Sequence, residues 1–125
     1  MQPLVNYEHD SEIVIIQKRS FKELDIWISD INFSIEECDY LAKIASNKLK
    51  DSALRDEFLD MIHQSMDLLS NLQSFRNATE NLSECTDLEC DLVFLNEHEE
   101  IRLLYLNHLK KYRSLKKKAF TVLLK

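Results

Sequence analysis

The chemistry this chain could carry starts with its histidines. His98 and His108 both fall on the apolar stripe of a helical segment, at core-type positions. Imidazoles placed there serve metal ligation, buried proton transfer or structural hydrogen bonding. Helical di-metal bundles build their centres from inward carboxylates and Glu-x-x-His pairs on facing helices. The partial matches here are Asp60-Met61-Ile62-His63, the carboxylates Glu36 and Glu37, and Glu97-His98-Glu99. No Glu-x-x-His occurs, and Asp-x-x-His occurs once. His63, His98, His108, Glu36 and Glu37 are therefore the candidate ligands of a ferritin-like or hemerythrin-like centre. The plainer reading makes the stripe histidines hydrogen-bonded structural residues.

The thiols offer less. Cys85 and Cys90 stand with four residues between them, across a break between helical segments. A zinc site needs about four ligands, and only His63 or His98 could add to these two. They read as two unrelated thiols, and Cys38 as a small core residue. Three cysteines do not make a disulfide framework. No Ser/His/Asp or Cys/His arrangement has a local signature.

Charge supplies a second candidate surface. Lys110, Lys111, Arg113, Lys116, Lys117, Lys118 and Lys125 place seven cations and no acid from residue 110 onward. The total is −6, so the rest of the chain carries −13, the difference from those seven. A basic segment of this kind fits an anionic partner: nucleic acid, acidic protein or membrane headgroups. A local explanation competes with it. Cations near a helix C-terminus complement the macrodipole by about 0.3–1 kcal/mol each, and Asp56, Glu57 and Asp60 lie within reach on an antiparallel neighbour. The overall acidity opposes nucleic-acid binding.

A third surface is apolar. The aromatic residues mostly fit helical core stripes. Phe33 and Tyr40 lie seven apart and off the main stripe, and with Ile26 they form a second row. Such a row fits a protein partner or a homodimer seam.

These residues must be positioned by helices. The 125 residues contain no glycine and one proline, Pro3. Without glycine, phosphate-cradling loops and Rossmann turns are excluded by definition, and many-turned β folds lose their turn residues. At 45% hydrophobic and 30% charged, the chain is too apolar for disorder and fits one domain. Residues 1–19 read as an N-terminal arm holding the β-branched run Ile13 to Ile16. Ser20-Phe21-Lys22-Glu23 has capping-box spacing and marks a helix start. Apolar residues then recur by threes and fours through Leu24, Ile31, Cys38 and Ala45. Breaks fall at 47–52, with Asp51 or Ser52 as cap, and at 83–87, where Thr86-Asp87-Leu88-Glu89 is another capping box. The expected helices are 20–49, 52–82 and 87–123, each about 45 Å long. The fold class is all-α: an elongated up-down-up antiparallel three-helix bundle with coiled-coil-like packing. The longest apolar runs are far below the roughly 20 residues of a membrane span, and no signal segment is visible. A cytoplasmic protein is the expectation.

Tyr112-Arg113-Ser114-Leu115-Lys116-Lys117-Lys118-Ala119-Phe120, preceded by Glu97-His98, resembles the last helix of small uncharacterised bacterial all-helical bundle proteins. The resemblance spans about a quarter of the chain. It implies a helical bundle and carries over no activity or site residue. The resulting expectation is a non-enzymatic bundle without cofactor, acting through protein–protein contact or as a homo-oligomer. The alternative is the metal-binding bundle.

Overall fold

The computed structural model describes residues 4–80 and 88–125, with side chains described for 15–79 and 92–125. Three helices account for nearly all of them: α1 Leu4–Asn47, α2 Ser52–Glu80 and α3 Leu88–Leu123. No strand occurs among the described residues. The chain is an all-α three-helix bundle, and among the described residues no helix is long and apolar enough to cross a membrane.

The first helix differs from the sequence expectation at its start. It begins at Leu4, so the arm expected over 1–19 is mostly the leading part of α1. Ser20 lies inside the helix, 5% exposed, four residues before Leu24 on the same buried stripe. The physical reason is the lack of any stop signal. No glycine or proline interrupts 4–47, and β-branched residues such as Ile13 to Ile16 lower helix propensity only slightly. A capping-box spacing has no force where the helix arrives already formed. The Thr86 capping box lies outside the described residues.

The α1–α2 connection follows the expected chemistry. The Asp51 carboxylate accepts the backbone N–H of Leu54 at 3.0 Å and caps α2. Lys50 takes φ 53°, the left-handed region that usually falls to glycine after a helix. Asp51 N–H reaches back to the Ala45 carbonyl at 2.9 Å, which closes the turn.

The helices pack around two apolar clusters. One gathers Cys38, Ala42, Ala45, Leu54, Phe58 and Tyr112 near the α1–α2 turn. The other gathers Leu24, Trp27, Ile31, Leu72, Phe75 and Phe94 toward the far end. Ser34, Ser65 and His108 are buried outside both clusters. α1 packs closely against α2. Small side chains at their contact, Cys38, Ala42, Ala45 and Ser65, allow that approach. α3 presents Phe94, His98, Tyr105, His108 and Tyr112 inward, and these bulky rings hold it farther off.

Candidate functional site

The seam between α1 and α3 carries a ladder of polar pairs. Glu23, Asp30 and Glu37 recur every seven residues on α1, and His98, Tyr105 and Tyr112 recur every seven on α3. They pair rung by rung at a constant separation of 75 residues. A constant difference means that the two helices run parallel, in register, with a coiled-coil period. The His98 Nε2 stands 3.2 Å from Glu23 Oε1. The Tyr105 hydroxyl donates to Asp30 at 2.9 Å, and the Tyr112 hydroxyl donates to Glu37. Arg102 forks onto both oxygens of Glu23 at 2.8 and 3.0 Å, and Lys116 Nζ lies 2.7 Å from Glu37.

Aromatic rings fill the space between the rungs. Trp27 stacks on Tyr105 with centroids 5.1 Å apart and lies 5.4 Å from the His98 ring. Phe75 and Phe94 each stand 5.9 Å from the same imidazole. The Glu23 carboxylate accepts the hydrogen bond of Nε2–H, and Nδ1 is left without a hydrogen-bond partner among apolar rings. An unpaired acceptor is tolerable there, but an unpaired N–H donor on a charged ring is much costlier.

Electrostatics follow this geometry. Burial holds the His98 pKa below the usual histidine value, against the raising effect of Glu23. Burial does the same to His108, helped by the Lys111 charge. Desolvation raises Glu37, but the bonds from Lys116 and Tyr112 and the Lys116 charge outweigh it, leaving a lowered carboxyl. Burial and the Asp30 bond push the Tyr105 phenol up to about 12. Burial likewise takes the Cys38 thiol up to about 12, so it is no nucleophile at neutral pH.

A pH dependence results. Both histidines are neutral in the fold, while the unfolded chain takes protons near pH 6.5. Protonation thus favours the unfolded state. The stability contribution is complete above about pH 6.5, falls as pH drops through the window down to the lowered folded values, and is constant below them. Urea unfolding at pH 7.5 and 5.5 should show the loss, and His98→Leu should flatten the profile. A wild-type midpoint that does not move would overturn this account of the imidazoles.

The sequence-derived candidates are distributed as follows. His98 and His108 are buried, as their stripe positions require. They lie ten residues apart, about 15 Å along the axis. His108 is bonded to Ser65 Oγ at 2.9 Å and His98 to Glu23. His63 and Glu36 are exposed, and Glu37 is held by Tyr112 and Lys116. The structure thus does not gather this set, and no group of three possible ligands forms among the described residues. Cys85 and Cys90 lie outside the described side chains. Ile26, Phe33 and Tyr40 stand exposed on one side of α1. In the basic segment, Lys118 forks onto Glu57 at 3.0 Å and Lys116 joins Glu37, while Lys110, Lys111, Arg113 and Lys117 face outward.

Sequence reasoning missed Glu23 and Asp30. Glu23 was expected to reach back to Ser20, and it reaches across to α3 instead. The available signal was the shared seven-residue repeat of acids on one helix and His or Tyr on another.

A shallow groove of about 270 Å³ opens along the seam between Phe33, Tyr105, Tyr112 and Arg113. A wider one of about 700 Å³ runs between α2 and α3, past Lys110, Lys111 and Lys118. The seam's groups hold each other's protons and charges, so their evident chemistry is registration of two helices. Compared with protein-family models, curated proteins and solved structures, the chain matches none of them.

Proposed function

We propose that this chain is a non-enzymatic helical bundle that acts through protein–protein contact, self-association included, in the cytoplasm. The observation that carries the reading is the row Ile26, Phe33 and Tyr40, which stand 58%, 63% and 57% exposed at seven-residue spacing. That spacing keeps all three on one side of α1, next to the rungs Glu23, Asp30 and Glu37. An apolar row on a helix already packed on its other side is what a partner helix recognises. The partner is a protein rather than nucleic acid, because the net charge is −6.

Replacing Ile26, Phe33 and Tyr40 together by Ser tests it. Exposed sites of this kind change stability by about 0.5 kcal/mol or less each. Quantitative affinity capture should lose the bound protein, or labelled copies of the chain itself, by more than about tenfold. Recovery identical to wild type would refute the assignment of this row.

A further inference from the structure

The exposed apolar side chains concentrate on α3. Of sixteen large apolar side chains exposed among the described residues, eight belong to α3 and a ninth, Leu124, follows it. Leu92, Leu95, Leu103 and Leu106 stand 51%, 40%, 58% and 47% exposed. They lie at steps of three, eight and three on one exposed side of α3, beside the buried stripe Phe94, His98, Tyr105 and Tyr112. Glu99 lies on this outer face between the two leucine pairs, and Lys110, Arg113 and Lys117 continue it.

The charges on α3 are polarised. Residues 97–102 carry Glu97, Glu99 and Glu100 against Arg102, and from 110 onward there are only cations. Laid parallel on a copy of itself, this face would set Lys110, Arg113 and Lys117 against their own counterparts. Laid antiparallel, it sets the acidic half on the basic half twice, by symmetry. The spacing then coincides. With the two-fold axis between residues 104 and 105, Leu103 of one copy is level with Leu106 of the other. Glu99 is then level with Lys110, since each is four residues beyond its leucine. Leu92 comes level with Lys117, whose methylene stem can cover it.

We infer that the outer face of α3 is a homodimer seam. Two copies pair α3 antiparallel, with Leu103 against Leu106 at the centre and Glu99 against Lys110 on either side. This rests on the protein-contact reading above and names its partner as a second copy of the chain. Glu99 already neighbours Arg102 on its own helix, so in the dimer its carboxylate is shared between two cations.

Sedimentation equilibrium of the full chain tests it. Wild type should sediment as a dimer. Leu103→Ser with Leu106→Ser should weaken that dimer by roughly a hundredfold while the helical circular dichroism is unchanged. Glu99→Lys and Lys110→Glu should each weaken it, and the two together should restore it. Raising salt from 0.1 to 1 M, where the screening length falls from about 10 to 3 Å, should reduce the effect of either single reversal. A monomeric wild type overturns the inference, and so does a monomer that instead binds anionic vesicles through its lysines. A dimer that survives the leucine changes but is lost with Phe33→Ser and Tyr40→Ser also overturns it, while leaving the contact reading intact. Loss of partner capture by the α1 variant, with the α3 dimer unchanged, would separate the two the other way.

Discussion

Phe58→Ala should cost about 3–5 kcal/mol of stability, a large share of the roughly 5–15 kcal/mol typical of a domain. Phe58 is fully buried, on the face of α2 that meets α1. The cost is at the high end because of its company. Cys38, Ala42 and Ala45 share its cluster, and such short side chains cannot swing in to fill the space a benzyl group leaves. The hole stays, and the loss of contact adds to the loss of burial. Phe58→Leu, which keeps most of the volume, should lose much less. Urea unfolding followed at 222 nm measures both. The control is Phe120→Ala, at a site 45% exposed, which should shift stability by about 0.5 kcal/mol or less. Equal effects at the two sites would show that this α1–α2 cluster is not the tight core described.

Trp27→Ala should cost a similar amount, about 3–5 kcal/mol, but at a different place. The indole is a large ring that α1 sets against His98 and Tyr105, and the Arg102 guanidinium lies over it at 5.9 Å. Removing it takes the packing from the seam between α1 and α3 and leaves the other cluster, around Phe58, untouched. The loss should therefore be local. Amides of α3 around 98–105 should exchange faster, while those around 54–61 of α2 keep their protection. Water admitted to the seam should also lower the Tyr105 phenol from about 12 toward its ordinary value near 10. Ultraviolet titration of the phenolate reads that shift directly. Uniform loss of protection over all three helices would mean that the seam has no independent stability, and an unmoved phenol would mean that Trp27 does not shield it.

These two sites mark the line between what a single strand of residues states and what folding adds. The helices and their inward stripes were legible, because helical periodicity is a local property. Steps of three and four put Leu24, Ile31, Cys38 and Ala45 on one face of α1, and a chain without glycine has few ways to break that run. A cap at Asp51 or Ser52 was legible for the same reason, and the bond from Asp51, which spans three residues, is the one formed. The pairing of Lys118 with Glu57 followed from the antiparallel order of neighbours alone. The start of α1 was not legible. A capping box at Ser20 and an uninterrupted helix from Leu4 have overlapping local signals, and burial of Ser20 beside Leu24 decided between them.

The seam lay further out of reach. Glu23, Asp30 and Glu37 form a repeat common on solvated helix faces. Their partners lie 75 residues away, and that register depends on how the helices stack and on the thickness of the rings between them. The same register decided which carboxylate meets His98. The stripe of His98 and His108 placed both inward, but inward on one helix fixes direction only. The partners Glu23 and Ser65 belong to the assembled bundle. Local spacing determined which side of each helix faces in, because side-chain direction repeats within a few residues. Which groups meet there was decided only when three helices settled against one another, because contact depends on rotation, rise and separation that no one helix contains.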